Sequence, residues 1–256
     1  MNESEDGVDQ GSVIRDGDAG LPAIGSVIAD LGSRDGQVRI RARKRLVATG
    51  EPAVGPLVAA LANPKESVRC EAARVLGQIS VDWTTHADWA ILSALVADLG
   101  SKDGLVRVRA RRCLVAMGNR AVSPLVEALG NPKEVVRWEA AKALGRIGDP
   151  AAAQALVAAL EDEMFDVRWL AAEGLIAMGR KGLVPLLQEL GKHADSVWLR
   201  EGAHHIVHDL SLEDLEDVMF PVLTALDAVA PSVEVPFAAR AALDKLKRGK
   251  GQHEGR

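Results

Sequence analysis

The 256-residue sequence predicts an all-α, right-handed solenoid of about seven helix pairs, and three observations predict it. The first is a block of chain that returns. Ala29 to Ser80 (ADLGSRDGQVRIRARKRLVATGEPAVGPLVAALANPKESVRCEAARVLGQIS) recurs without a gap as Ala97 to Gly148 (ADLGSKDGLVRVRARRCLVAMGNRAVSPLVEALGNPKEVVRWEAAKALGRIG), with about two thirds of the positions identical. Such self-similarity marks stacked repeats, each too small to bury its apolar face alone. The second observation is that each block is itself double, because a Val-Arg step followed by an Ala-rich stretch and Leu recurs about every 30 residues. The third is composition: 48% hydrophobic residues, no Tyr and three Phe. A chain rich in Ala, Leu, Val and Arg favours helix over sheet and can bury a substantial core.

Taken in chain order, residues 1–18 are acidic and are expected as a disordered tail, residues 19–246 as the solenoid and residues 247–256 as a second disordered tail. The Val-Arg anchors are Val38-Arg39, Val68-Arg69, Val106-Arg107, Val136-Arg137 and Val167-Arg168, with a weaker Leu199-Arg200 and a degenerate Val235-Pro236, which makes seven units. Within a unit the first helix reads like Ala121 to Leu129 (AVSPLVEAL) and the second like Val135 to Ile147 (VVRWEAAKALGRI). Between them Asn131-Pro132-Lys133-Glu134 supplies an N-cap, a proline at the first helical position and the glutamate of a capping box, a signal repeated at Asn63-Pro64-Lys65-Glu66. Gly50, Gly118, Gly148 and Gly179 stand where left-handed C-caps are expected, and the glycines in general are accounted for as caps and turns. The connection from Ser80 to Ala87 is longer than its counterpart at Gly148-Asp149-Pro150; it is expected to bend the stack, with Trp83 and Trp89 packed under it.

The V-R-x-x-A-A-x-x-L-G-x-I-G-D-P-x-A pattern, clearest at Val136 to Ala151, resembles the short HEAT repeats of the phycobilisome-lyase-like class. That resemblance covers about Leu21 to Leu246. It implies the fold strongly and function weakly, since the class spans bilin lyase subunits, deoxyhypusine hydroxylase and binding scaffolds.

On a wheel at 100° per residue, Val136, Ala140, Ala143, Leu144 and Ile147 share one side and form core, so Trp138 points away. In HEAT-like stacks that outward side of the second helix lines the concave wall. Its occupants are Ile40, Cys70, Val108, Trp138, Trp169, Glu201 and Phe237, and one turn on Lys44, Arg74, Arg112, Lys142, Glu173 and His205. An apolar-to-aromatic row flanked by charge suits a recognition groove, because tryptophan supplies large desolvated area at low entropic cost. The Val-Arg arginines are expected to have a structural role, as an Asp/Glu–Arg ladder between repeats.

The net charge of −5 hides a gradient. Ala29 to Ser80 carries nine Lys/Arg against five Asp/Glu, Ala97 to Gly148 ten against five, and Glu161 to Asp217 five against thirteen. The basic early helices raise a nucleic-acid reading, countered by the net acidity and by Arg45 and Arg43, placed on the inward side and at the repeat boundary. His204 and His208, four apart, could chelate a metal only if a third ligand converged; the His-Glu pair His253-Glu254 sits in the tail. Trp138 and Trp169, with Arg137 and Arg168, could stack a tetrapyrrole and neutralise its propionates. No phosphate loop, Ser/His/Asp set or catalytic carboxylate pair emerges. The two cysteines, Cys70 and Cys113, suggest neither a disulfide framework nor a CxxC site. No apolar run is long enough to span a bilayer, and the acidic start does not read as a signal peptide, which points to the cytoplasm. The expectation is therefore a non-catalytic scaffold that binds a protein or peptide along its concave face, without cofactor or metal. The alternatives are a nucleic-acid module, a bilin lyase or a metal-dependent hydroxylase-like subunit.

Overall fold

The computed structural model describes residues 24–79, 86–210 and 215–251. The acidic residues 1–18, the Ser80 to Thr85 connection with Trp83, and His253-Glu254 lie outside them. Among the described residues there are fourteen α-helices in seven successive pairs: α1 (Ile24–Asp30) and α2 (Gly36–Thr49), α3 (Val54–Ala60) and α4 (Glu66–Gln78), α5 (His86–Asp98) and α6 (Gly104–Met117), α7 (Val122–Ala128) and α8 (Glu134–Ile147), α9 (Ala153–Ala158) and α10 (Phe165–Ala177), α11 (Arg180–Leu190) and α12 (Val197–Leu210), α13 (Glu216–Leu226) and α14 (Pro231–Gly251). The last helix thus continues past the boundary expected at Leu246.

The even-numbered helices stack in order from α2 to α12 as one wall, and each packs against its odd-numbered partner. The seventh pair departs from this plan. There α13 packs on α12, while α14 packs on α13 and α11, so the wall of even helices ends at α12. This is the unit whose anchor is Val235-Pro236, with proline where the others carry arginine.

The other anchor arginines have the structural role expected, but with different partners. In each, Nη1 donates to the carbonyls six and five residues back: Arg39 to Ser33 and Arg34, Arg69 to Asn63 and Pro64, Arg107 to Ser101 and Lys102, Arg137 to Asn131 and Pro132, Arg168 to Asp162 and Glu163, Arg200 to Ala194 and Asp195. These carbonyls belong to the turn before the helix and have no helical partner, so a guanidinium with several donors fits them. Two also reach carboxylates of the next unit as the ladder expected: Arg107 lies 3.7 Å from Glu139, and Arg137 joins Asp162 at 2.7 Å and Glu163 at 2.9 Å.

The same turns correct the capping scheme. Asn63 and Asn131 accept from the amides of Lys65 and Lys133 at 2.9 and 3.0 Å, closing an Asx turn two residues long. The helices then start at Glu66 and Glu134, with the lysines as N-caps that lack a side-chain cap. Arginine on the Asn and Pro carbonyls holds those residues in the turn and keeps proline out of the helix. In α2 and α6, Asp35 and Asp103 are the capping side chains, accepting from Gln37 and Leu105.

Gly50, Gly118, Gly148 and Gly179 all have positive φ, of 69°, 65°, 65° and 56°, but only Gly148, at ψ 19°, is the left-handed C-cap expected; Gly50 and Gly118 end α2 and α6 at ψ −137° and −135°, and Gly179 stands as the N-cap of α11 at ψ −132°, after Met178 has closed α10. Other glycines serve packing and were not anticipated. Gly145 of α8 and Gly174 of α10 face each other so closely that a Cβ on Gly145 would lie 3.0 Å from Gly174 Cα. That approach accompanies the most extensive helix–helix contact among the described residues.

Leu57, Leu76, Leu114, Leu125, Leu144, Leu156 and Leu175 are fully buried. The core falls into two clusters, one within α1 to α4 and one that runs from Ala73 and Leu92 to Leu246. Val136, Ala140, Ala143 and Leu144 are buried as the wheel requires, and Ile147 is half-buried.

Candidate functional site

Along the wall of even helices the anticipated row is broken rather than continuous. Ile40, Cys70 and Val108 are half-buried and Lys44 is exposed. Arg74 pairs with Glu71 at 3.1 Å, and Arg112 pairs with Glu66 of α4. Two of the basic positions are thus answered by acids of the same wall, which breaks the stripe that nucleic acid would need. Arg43 bonds Glu71 across the repeat boundary at 3.3 Å as placed, but Arg45, expected inward, is exposed. Phe237 is 70% exposed on α14, off the wall, because that helix packs on α11 and α13.

Trp138 does not point freely outward. It is half-buried, packs against the core, and carries the Lys142 ammonium 4.2 Å from its ring centroid, with Arg111 at 5.9 Å. A wheel treats one helix alone, whereas α6 supplies a neighbour here and the residue four on supplies a lid. Burial, with Arg111 and Arg146 nearby, draws the Lys142 pKa down.

The exposed part of the row lies on α10 and α12. Trp169, 46% exposed, stacks on the His205 imidazole with centroids 4.5 Å apart and planes inclined by 17°. His205 Nε2 in turn lies 3.0 Å from Glu173. Three predicted residues are therefore brought together across two units. Glu201 is exposed on α12.

Two aromatic residues beside them escaped the sequence reading. Phe165 lies one turn before Trp169, with centroids 6.2 Å apart, and Trp198 opens α12. Both are exposed, and the Arg168 guanidinium sits between them, 5.7 Å from the Phe165 centroid and 4.7 Å from that of Trp198. The available signal was that Phe165 precedes Trp169 by four residues and so shares its helix face. Adjoining this patch, a cleft of about 290 Å³ opens between the starts of α8 and α10. Its apolar lining is Val135, Trp138, Met164 and Val167; Glu134 and Asp166 are exposed at its edge, and Arg107 and Glu139 complete it. Glu139 is buried and paired with Arg111 and, at 3.7 Å, with Arg107.

The arginines expected to be able to meet propionates are already committed. Arg137 holds Asp162, Glu163 and its turn, and Arg168 holds its turn carbonyls between two rings. His204 and His208 lie nearly parallel with ring centroids 6.5 Å apart, but they turn to different carboxylates: His204 lies 3.0 Å from Asp227, and His208 3.3 Å from Asp209. Among the described residues no three His, Cys, Asp or Glu side chains converge as metal ligands, and no helix is long and apolar enough to cross a membrane.

Residues 90–175 match the family model of HEAT repeats. That segment of the chain is built of HEAT repeats. Over 128 residues the chain is 38% identical to the phycocyanobilin lyase subunit alpha of Picosynechococcus sp. (strain ATCC 27264 / PCC 7002 / PR-6), an alignment covering 46% of this chain and 45% of that protein; the chain thus spans about half the length of the curated relative it matches. Among solved structures, the complex of CpcE and CpcF of phycocyanin lyase from Nostoc sp. PCC7120 is similar at 19% identity and a TM-score of 0.32, covering 96% of this chain and 100% of the other. The designed armadillo repeat protein YIII(Dq)4CqI is similar at 20% identity and a TM-score of 0.34, covering 87% and 99%. The expectation that this chain is not an enzyme is overturned by the likeness to a lyase subunit.

Proposed function

We propose that this chain is a subunit of a lyase-type enzyme and that its part is to hold a protein partner on the wall of even-numbered helices while a bilin-class group is handled. Kinship with a phycocyanobilin lyase subunit supports the lyase reading. The observation that carries the partner reading is the exposure of Phe165, Trp169 and Trp198 on adjacent helices in a chain whose aromatic residues are five Trp and three Phe. Covering a half-exposed tryptophan yields about 2–3 kcal/mol gross, and neighbouring rings that desolvate together form the core of a hot spot.

The test is capture of partners from the source cell by the wild-type chain and by a Phe165→Ala/Trp169→Ala variant, followed by incubation of the captured complex with phycocyanobilin. The expected result is a partner held by the wild type, lost by the variant, and carrying covalent pigment by visible absorption after gel separation. Equal capture by both proteins would move the interface off this wall, and a partner that gains no pigment would remove the lyase role.

A further inference from the structure

We propose that the stretch of wall across α8, α10 and α12 receives an extended peptide segment bearing arginine or lysine. This rests on the partner-binding reading above and names the partner's chemistry. The rings of this stretch already take cations: Arg168 lies between Phe165 and Trp198, and Lys142 covers Trp138. Aromatic faces attract guanidinium and ammonium groups through their quadrupole, so the exposed faces that remain suit more of the same.

The surrounding charge has the matching sign. Glu134 and Asp166 at the mouth of the cleft and Glu201 beside the patch are exposed, and among the described residues no cation pairs with them. The cations of the same stretch are engaged. Arg107 and Arg168 bond their turn carbonyls, and Lys142 rests on Trp138. The lining of the cleft holds the carboxylates of Glu134, Glu139 and Asp166 against Arg107, with Arg111 paired to Glu139 behind it, so an approaching segment meets an apolar floor under a net negative charge, which favours a basic partner and penalises an acidic one.

Size decides the form of the ligand. At about 290 Å³ the cleft is at the lower limit of the roughly 300–1,000 Å³ typical of small-molecule pockets, so it admits one long side chain: the stem against Val135 and Met164, the head between Glu134 and Asp166. Packed helices lie about 8–10 Å apart and an extended chain advances about 3.3 Å per residue. Three helices are thus spanned by roughly six to eight residues.

The experiment is fluorescence anisotropy with a labelled octapeptide of alternating arginine and alanine, its glutamate–alanine counterpart, and a single-stranded oligonucleotide of similar length. The proteins are the wild type and a Glu134→Gln/Asp166→Asn variant with unchanged melting temperature. The arginine peptide is expected to bind, to weaken about tenfold on neutralisation of the two carboxylates, and to weaken further with salt; the glutamate peptide and the oligonucleotide are not expected to bind. Equal affinity of the variant for the arginine peptide, tighter binding of either anionic probe, or no binding of the arginine peptide would each overturn the proposal. If partner capture is lost with Trp169→Ala yet unaffected by the carboxylate variant, the lyase-subunit reading survives and this one falls.

Discussion

Arg137 shows how much one residue can hold in a repeat of this kind. Its side chain is nearly buried and bonds two turn carbonyls of its own unit and two carboxylates of the next. Removing one member of a buried ion pair leaves its partner uncompensated. Arg137→Ala is therefore expected to cost about 3 kcal/mol, and Arg200→Ala, which forfeits only turn contacts, about 1 kcal/mol; urea melts of the two variants check the difference. The cysteines give a second prediction. Burial, with Cys70 close by, pushes the Cys113 thiol up to about 11 from the usual 9, and burial also raises Cys70, offset by Arg69 and Arg74. At pH 8 about one Cys113 in a thousand is thiolate, so a disulfide reagent should modify Cys70 first and Cys113 only on unfolding. Because the unfolded thiol ionises before the folded one, this contribution to stability is intact below pH 9 and lost between pH 9 and 11. It amounts to about 2–3 kcal/mol. Urea titrations at pH 8 and pH 10.5 should show most of that loss in the wild type and a smaller one in Cys113→Ala, where the raised Cys70 thiol remains.

At the scale of the element, the close pair Gly145 and Gly174 sets two effects against each other. Alanine is the better helix former by about 1 kcal/mol, but a Cβ on Gly145 meets backbone at 3.0 Å, and backbone cannot rotate away. Overpacking of this sort costs about 1–3 kcal/mol. Gly145→Ala is expected to destabilise on balance, whereas Leu144→Ala, which leaves a cavity at a fully buried site, should cost about 2–5 kcal/mol. Thermal melts of both variants give the comparison, and a Gly145→Ala protein more stable than wild type would show that α8 and α10 can part freely. Helix number, helix order and the buried positions of α8 were legible in the sequence because periodicity reports which face a residue is on. The glycine contact was not, since a mid-helix glycine reads the same whether it loosens a helix or admits a neighbour. Trp138 was misplaced for a related reason: a wheel knows the angle of a side chain but nothing of Lys142 above it or α6 beside it. Asn131 and Pro132 misled because the arginine six residues on competes for the turn.

For the whole molecule, repetition made the stack predictable and degeneracy hid its end. The seventh unit lacks the anchor arginine at Pro236, and there the alternation of layers gives way, with α14 on α11; nothing in the local pattern announces which layer a helix joins. The aromatic patch was half visible, Trp169 by its place in the repeat and Trp198 not, because Trp198 stands one residue before its anchor leucine. Solenoids distribute stability among neighbouring contacts, so here a defect should be felt chiefly by adjoining units. The two core clusters, divided near α4, fit that arrangement.

A stack of this kind is also a spring, and the contact between α8 and α10 is its stiff coil. Extension of the chain by force should be taken up first at junctions with looser contact, leaving the distance between those two helices nearly constant. The cleft opens between them and the patch of Phe165 and Trp169 lies on one of them. A partner held there would keep its footing under tension while the remainder of the solenoid lengthened, and optical-tweezers traces of the wild type and Gly145→Ala would register the difference as a change in compliance.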